Sequence, residues 1–176
     1  MLKILLSGCN GRMGQVISRL CIERDDVEII CGVDVNTTKL SDYPVYKDPM
    51  EYFGPVDVVI DFSSPDSLDA LLYYCRSRSL PLVLCTTGYS EEQLTEISRA
   101  SKNFPIFRSG NMSLGINLLI SLIQKTLAVL GEDYDVEILE RHHNKKVDAP
   151  SGTAIMLAEA VKKALPYDAE YVYERN

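Results

Sequence analysis

Three features that would each narrow the class of this protein are missing from its sequence: a long apolar run, closely paired cysteines and a surplus of positive charge. The longest uncharged apolar stretch, Leu114 to Ile123, is far shorter than the ~20 residues that a bilayer span needs. The 18 basic and 25 acidic side chains leave a net charge of −7, which disfavours binding to phosphate backbones through a broad basic face. We therefore expect a soluble protein with neither a membrane nor a nucleic acid as its partner.

The cysteines are odd in number and have no C-x-x-C spacing, and three of them lie in apolar runs. This pattern favours free thiols in a reducing cytoplasm over disulfides. The sequence opens with a strand-like run and a glycine loop, not with an apolar segment and a cleavage site, so no secretion signal is expected. We therefore predict a cytoplasmic location. The five residues concerned are Cys9, Cys21, Cys31, Cys75 and Cys85.

Strand-like apolar runs alternate with helical patterns over the first two thirds of the chain. Helical patterns follow Gly14, extend from Ser64-Pro65-Asp66 to about Ser79, and begin again at the capping box Ser90-Glu91-Glu92-Gln93. The predicted strands are residues 3–7, 27–33, 56–61, 81–85 and 105–107. This order indicates an α/β fold, a Rossmann-like doubly wound parallel sheet covered on both faces. We assign residues 1–113 to a dinucleotide-binding domain.

The pattern changes in the last third of the chain. Leu114–Leu130 is predicted to be a long apolar helix, Tyr134–Glu140 a strand, and Thr153–Ala164 an amphipathic helix. Tyr171-Val172-Tyr173 is predicted to begin another strand, which the end of the sequence cuts off. Residues 114–176 are therefore expected to be the first part of an α+β substrate and oligomerisation domain whose remainder is absent.

A glycine-rich turn links the first predicted strand to the first helix. Gly8-x-x-Gly11-x-x-Gly14 is a variant of the G-x-G-x-x-G turn, with Asn10 near the middle glycine position, where it tolerates a left-handed backbone. Such a turn lets a pyrophosphate approach the N–H groups and partial positive charge of a helix N-terminus. The order of strand, turn and helix predicts a dinucleotide site; a purely structural glycine turn is the alternative.

Asp34 ends the second predicted strand, where a carboxylate can accept hydrogen bonds from the adenosine ribose. Its charge would repel a ribose 2′-phosphate, so NADH is favoured over NADPH. Arg12 and Lys39 lie near enough in sequence to soften that preference, which leaves use of both cofactors open. The alternative is that Asp34 only caps its strand.

A basic segment, residues 141–146, holds both histidines of an otherwise acidic chain. A helix start follows it, at which the backbone N–H groups of Gly152 and Thr153 would face outward. Cations and helix start together predict a site for a small dicarboxylate.

Both histidines suit acid–base chemistry beside Lys146 better than the alternative, which is that they are ordinary hydrogen-bonded loop residues. Adjacent His142 and His143 are poor metal ligands, because neighbouring side chains point apart, so no metal is expected. Lys145 is interpreted as a solvated surface charge.

Five motifs resemble those of the dihydrodipicolinate reductase family, in the family's order and over nearly the whole chain. They are Gly8-x-x-Gly11-Arg12-Met13-Gly14, Asp61-Phe62-Ser63, Thr86-Thr87-Gly88, Asn111-Met112-Ser113-Leu114-Gly115-Ile116-Asn117, and the run from Glu140 to Ala154. The last contains H-H-x-x-K-x-D-A-P-S-G-T-A and is the most specific. The resemblance implies NAD(P)H-dependent reduction of 4-hydroxy-tetrahydrodipicolinate, through dihydrodipicolinate, to tetrahydrodipicolinate in lysine and diaminopimelate biosynthesis.

The resemblance also implies roles for individual residues. His142 would be the catalytic acid–base group and Lys146 the proton donor to a small cyclic dicarboxylate substrate. His143 would contact that substrate, and Gly152 and Thr153 would bind its carboxylate. The residues implied to bind the dinucleotide are Gly8, Cys9, Asn10, Gly11, Arg12, Met13, Asp34, Cys85, Thr86, Thr87, Ser109, Gly110, Asn111 and Met112.

The chain departs from the family pattern at two positions and in its length. Cys85 stands where the family usually has Gly, and Met112 where it usually has Phe; both are expected to change cofactor affinity by about a kcal/mol. The family's later strands build a homotetramer, and none of them is present after Asn176. Two alternatives remain: a catalytically silent NAD(P)-binding fragment, and an amino-acid dehydrogenase of similar layout, such as one acting on aspartate.

Overall fold

The computed structural model of the chain describes residues 1–144, 146 and 149–173. The chain divides into two compact units, Met1–Gly110 and Asn111–Asn176. The surface charge expected at Lys145 lies outside the described residues.

The first unit is built on a six-stranded, wholly parallel sheet in the order β3-β2-β1-β4-β5-β6. This is the strand order of a doubly wound nucleotide-binding fold, so the predicted fold class is confirmed. The strands are β1 (Leu2–Ser7), β2 (Val27–Val33), β3 (Val45–Tyr46), β4 (Val58–Asp61), β5 (Leu82–Leu84) and β6 (Ile106–Arg108). The short edge strand β3 was not predicted, because two residues carry no periodic pattern.

Helices cover both faces of this sheet. On β1, Leu5 packs with the core of one face, whereas Ile4 and Leu6 point to the other. This alternation gives each face its own apolar core, as a strand buried on both sides requires. The helices are α1 (Arg12–Ile22), α2 (Leu68–Arg78) and α3 (Glu91–Ala100), with short 3₁₀ turns at Pro49–Glu51 and Pro65–Ser67. Residues of α2 and α3 line the Leu5 core, and Ile17 and Cys21 of α1 line the other.

Local signals set the helix starts as predicted. Ser90 accepts a hydrogen bond from the Gln93 backbone N–H at 3.2 Å, and the Gln93 side chain accepts one from the Ser90 N–H at 3.0 Å. The capping box is therefore confirmed. Pro65 begins a 3₁₀ turn that leads into α2, which ends at the left-handed residue Ser79.

The second unit contains two long helices, α4 (Leu114–Leu130) and α5 (Gly152–Ala164), which pack against each other. The bounds of α4 are those that its sequence predicts, and Ser113 caps it. Most of the apolar surface of α4 is exposed, and Leu127 is its one buried residue. No helix within the described ranges is both long and apolar enough to cross a membrane.

The two strands predicted for this unit are wrong: residues 134–140 and 171–173 are not strands, and the described part of the unit contains none. Residues 134–139 are all exposed, with Val136 and Ile138 at 43% and 40% and Leu139 at 88%. A strand needs a hydrogen-bonded neighbour, and the described residues of this unit supply no paired strand for either segment. The alternation of side chains can be read from neighbouring residues, whereas the pairing of a strand depends on a second segment elsewhere in the chain.

Candidate functional site

The turn between β1 and α1 requires glycine at its first position. Gly8 has φ of +73°, and a Cβ added there would lie 2.5 Å from the Phe62 carbonyl oxygen. The Gly8 N–H donates to the Val33 carbonyl at 2.8 Å, which ties the turn to the end of β2. The turn therefore lies at the carboxyl ends of β1, β2 and β4, where open α/β sheets bind ligands.

Gly14 allows α1 to approach that turn closely. A Cβ on Gly14 would lie 2.2 Å from the Gly8 carbonyl oxygen and 2.5 Å from that of Cys9. Gly11 precedes the first residue of α1, and Arg12 and Met13 are exposed in its first turn. This arrangement presents the N-terminus of an 11-residue helix at the sheet edge, the geometry that binds a pyrophosphate.

Asp34 is bonded directly to the glycine turn. One carboxylate oxygen accepts the Asn10 backbone N–H at 2.9 Å, and the other accepts the Asn36 N–H at 3.0 Å. The Asn10 side chain donates to the carbonyls of Asn36 and Thr38, at 2.6 and 2.8 Å. Asp34 thus caps the end of its strand, the role that the sequence analysis gives as the alternative to ribose binding. A carboxylate accepts about four hydrogen bonds, so these two leave room for ribose hydroxyls.

Cys9 lies beneath the turn and is buried. Burial, and secondarily the charge of Asp34, raise the pKa of the Cys9 thiol to about 11. A Cβ on Gly32 would lie 2.5 Å from the Cys9 sulfur, so β2 needs glycine opposite this side chain. Cys9 therefore packs as a neutral thiol; the residue is 1% exposed, and its N–H donates to the Val33 carbonyl at 3.5 Å.

A buried carboxylate, Asp61, organises the neighbouring edge between β4 and β5. It accepts hydrogen bonds from the Thr86 hydroxyl at 2.7 Å, from the Tyr89 hydroxyl at 3.4 Å, and from both the backbone N–H and the hydroxyl of Ser63. Cys85 beside it is buried, and this burial, with the charge of Asp61, raises the pKa of its thiol to about 11. The signal for this residue in the sequence is a carboxylate at the end of an apolar strand, a pattern that by itself indicates no role.

Other residues implied to border the dinucleotide lie after β6. The Ser109 N–H donates to the Leu84 carbonyl at 3.0 Å, and Gly110 is exposed. Asn111 begins the second unit, where its side chain donates to the Thr153 hydroxyl at 2.9 Å and accepts the Ser113 N–H at 2.8 Å. The second unit thus joins a predicted cofactor residue to a predicted substrate residue. Thr87 and Met112 are exposed.

An acid that no sequence motif singles out, Glu140, contacts the basic segment of the second unit. One carboxylate oxygen of Glu140 accepts the Ser151 backbone N–H at 2.8 Å, and the other lies 3.6 Å from Nδ1 of His142, whose side chain is 40% exposed. Hydrogen bonds from the Ser151 side chain and backbone hold the pKa of Glu140 below its usual value. The Lys146 N–H donates to the His143 carbonyl at 3.2 Å.

The helix start after this segment suits an anion. The Ser151 hydroxyl accepts the Ala154 N–H at 3.0 Å and caps α5, of which Gly152 and Thr153 are the first residues. N–H groups in the first turn have no partner within a helix, so these two are suited to a carboxylate. Glu140 thus contacts both the capping residue Ser151 and His142.

The first unit has the fold and the glycine turn of the Rossmann-type nucleotide-binding proteins. Two family models match the chain: "Dihydrodipicolinate reductase, N-terminus" over residues 2–112 and "Dihydrodipicolinate reductase, C-terminus" over residues 115–174. The chain belongs to the dihydrodipicolinate reductase family. The resemblance predicted from the motifs is confirmed.

Curated relatives agree with this assignment. The chain is 49% identical, over 176 residues, to 4-hydroxy-tetrahydrodipicolinate reductase of Clostridium tetani (strain Massachusetts / E88), covering 100% of this chain and 69% of the relative. It is 50% identical over 175 residues to the protein of the same name from Caldanaerobacter subterraneus subsp. tengcongensis, covering 99% of this chain and 69% of the relative. The chain thus spans about seven-tenths of the length of these relatives.

Solved structures support the fold. A dipicolinate-bound dihydrodipicolinate reductase from Paenisporosarcina sp. TG-14 superposes with a TM-score of 0.74 at 24% identity, over 100% of this chain and 71% of that one. An oxidoreductase from Agrobacterium radiobacter, in complex with NAD⁺, L-tartaric acid and magnesium, gives 0.56 at 18% identity over 74% of this chain and 41% of that one. Both likenesses concern the fold alone.

Proposed function

We propose that this chain carries out the NAD(P)H-dependent reduction of 4-hydroxy-tetrahydrodipicolinate, through dihydrodipicolinate, to tetrahydrodipicolinate in lysine and diaminopimelate biosynthesis. The observation that carries the proposal is the match of both family models, one on each unit, with relatives of that name at 49% and 50% identity. Members of this family are oxidoreductases, and their N-terminal unit binds a nucleotide cofactor.

The first unit fits a dinucleotide. A Cβ at Gly8 would clash with the Phe62 carbonyl, and one at Gly14 with the Gly8 and Cys9 carbonyls. Both glycines therefore allow the close packing that brings the N-terminus of α1 to the sheet edge, where its N–H groups suit a pyrophosphate. The adenosine ribose would hydrogen-bond to Asp34, and the nicotinamide half would extend toward β4 and β5, since each half of a doubly wound sheet binds one mononucleotide. When bound, the reduced nicotinamide supplies the hydride.

Cofactor preference forms part of the proposal. Asp34 is fixed by bonds from the Asn10 N–H to one carboxylate oxygen and from the Asn36 N–H to the other. A ribose 2′-phosphate would therefore meet a fixed negative charge, so we expect NADH to bind more tightly than NADPH. In Asp34→Asn the ratio of the two dissociation constants should move toward NADPH, because the repulsion is gone. Fluorescence titration of both cofactors measures this, with Asp42→Asn, an exposed acid of the same unit, as the control. An unchanged ratio in Asp34→Asn would remove the basis for the preference.

The second unit is proposed to hold the substrate, a small cyclic dicarboxylate. One substrate carboxylate would dock on the N–H groups of Gly152 and Thr153, and His143 would contact the ring substituents. Lys146 would donate the proton that hydride addition requires, and His142, oriented by Glu140, would act as the acid–base group. The proton then ends on the ring carbon next to the one that was reduced.

Location and assembly complete the proposal. Five free cysteines, four of them buried, fit a reducing cytoplasm. A homotetramer is proposed for a chain that includes the remaining family strands.

A second candidate, a silent NAD(P)-binding fragment, is favoured by one observation, namely that the chain spans only 69% of its relatives. Steady-state assays of this chain beside a family-length chain, each with parallel NADH titration, separate the two. NADH binding with turnover in both chains supports the reductase, whereas binding without turnover in the short chain alone supports the fragment. An aspartate dehydrogenase, the third candidate, would instead oxidise aspartate with NAD⁺, which a separate assay with those two compounds measures.

A further inference from the structure

Asp61 is the most completely buried acidic side chain of the first unit, with 0% of its surface exposed. Burying a carboxylate is costly unless hydrogen bonds replace its hydration, and here four donors do so. An apolar residue would fill the end of β4 without that cost. What the carboxylate adds is a fixed geometry for the groups that it binds.

Those groups belong to two different loops at the sheet edge. Ser63 lies in the loop after β4, and Thr86 and Tyr89 lie in the loop after β5. The loop after β4 also lies against the glycine turn, because the Phe62 N–H donates to the Ser7 carbonyl at 3.0 Å and the Phe62 carbonyl occupies the space that a Gly8 Cβ would need. One side chain thus holds two loops in register beside the pyrophosphate turn.

The position of Asp61 and its partners in the sheet indicates which half of the dinucleotide they border. In the order β3-β2-β1-β4-β5-β6, Asp34 follows β2 on one side of the switch point between β1 and β4, and Asp61 ends β4 on the other. Since the adenosine half lies on the Asp34 side, the loops that Asp61 holds border the other mononucleotide. We propose that Asp61 is a positioning residue for the nicotinamide half of the dinucleotide, acting through Ser63 and Thr86; this inference rests on the proposed function.

Asp61→Asn tests the proposal with little change in side-chain volume. The Ser63 N–H can only donate, so the single carbonyl oxygen of Asn must face it, and the Asn NH₂ must then face the hydroxyls of Thr86 and Tyr89. Both hydroxyls would have to reverse from donor to acceptor, which loosens the loop after β5. The dissociation constant for NADH should rise about tenfold or more.

ADP is the discriminating probe, because it shares the adenosine and pyrophosphate of NADH but lacks the nicotinamide riboside. Isothermal titration of the full chain should give an ADP dissociation constant that Asp61→Asn leaves within about twofold, while NADH weakens. Thr86→Val should show part of this loss of NADH affinity, whereas Thr86→Ser, which keeps the hydroxyl, should bind NADH like the parent chain. The double variant Asp61→Asn/Thr86→Val should lose less NADH affinity than the sum of the two single losses, because both changes break the same contact. Asp57→Asn, whose exposed carboxylate accepts the Lys3 N–H at 2.7 Å, is the matched control.

The outcomes are separable. Unchanged NADH affinity in Asp61→Asn and in Thr86→Val would overturn the inference, and so would an equal loss for NADH and ADP, which indicates a general structural role. If Asp61→Asn does not fold, the Thr86 variants decide by the same two criteria. Failure of the unmodified chain to bind NADH would contradict the proposed function itself, and this inference with it.

Discussion

Glu140 contacts two residues of the second unit. His142 lies near one of its carboxylate oxygens, and the N–H of Ser151, eleven positions further along the chain, is bonded to the other. Glu140→Gln keeps an oxygen that can accept the Ser151 N–H but removes the charge facing Nδ1 of His142. We expect kcat to fall about tenfold or more, since the imidazole loses its orienting partner, with the dissociation constant of NADH unchanged. Stopped-flow turnover and NADH titration measure the two quantities.

Glu159→Gln, an exposed glutamate of α5, is the control for removal of one negative charge from the same unit. Equal kcat values for both variants would show that Glu140 does not act through His142. A parallel rise in the dissociation constant of NADH would instead indicate general disorder in the chain.

The contacts of Glu140 and Asp61 could not be predicted from the sequence. The His142–Lys146 spacing, the glycine turn and Asp34 could be predicted because each belongs to a short motif whose residues are close in sequence. The partners of Asp61 come from two loops, and Thr86 lies 25 positions away from it. No local pattern specifies such a contact, because it depends on which strands become neighbours.

At the scale of single elements, α1 depends on Gly14. A Cβ there would lie 2.2 Å from the Gly8 carbonyl oxygen and 2.5 Å from the Cys9 carbonyl oxygen, and backbone atoms cannot give way as a flexible side chain can. Gly14→Ala should therefore displace the helix from the turn, lower the free energy of unfolding by about 1–3 kcal/mol and weaken NADH binding. Urea denaturation and NADH titration check both effects.

Gly115→Ala is the matched control, since a Cβ there would meet only the Ser113 hydroxyl oxygen at 3.7 Å, an ordinary contact. Because Ala favours helix over Gly, this variant of α4 should be neutral or more stable by about 0.5–1 kcal/mol. Equal stabilities for the two variants would contradict the close approach inferred at Gly14.

The elements also show why some predictions succeeded and others failed. The helix α4 and the Ser90 capping box were predicted with the correct residues, because helix bonds and caps connect residues close in sequence. β3 was missed, and the strands at 134–140 and 171–173 were wrong, because a strand exists only through its neighbour. Alternation predicts which side chains share a face, not whether a partner is present.

For the whole molecule, buried thiols make stability depend on pH. Burial raises the pKa of Cys31 and Cys75 to about 12 and contributes to the values of about 11 for Cys9 and Cys85, against 9.0 for a free thiol. The folded state thus keeps protons that the unfolded state loses above pH 9. Their contribution is fully present below pH 9 and is lost between about pH 9 and 12, at ~1.4 kcal/mol per pH unit for each thiol.

Cys75→Ala should therefore reduce the alkaline slope of the unfolding free energy by ~1.4 kcal/mol per pH unit, although the cavity lowers stability at neutral pH. Cys21→Ala is the control, because Cys21 is only partly buried and should change the slope less. Urea unfolding from pH 7 to 11 measures both slopes. Identical slopes in the parent chain and Cys75→Ala would contradict the linkage.

One measurement tests the reductase assignment most directly: a single-turnover reaction in which the NADH-loaded chain is mixed with freshly generated 4-hydroxy-tetrahydrodipicolinate and nicotinamide absorbance is followed. We predict oxidation of one NADH per substrate reduced, slowed ~10²–10⁴-fold in Lys146→Ala while NADH affinity is unchanged, with Lys163→Ala, an exposed lysine of α5, reacting like the parent chain. Binding of NADH without oxidation, in this chain and in one of family length, would contradict the assignment, and full activity in Lys146→Ala would contradict the proton-donor role.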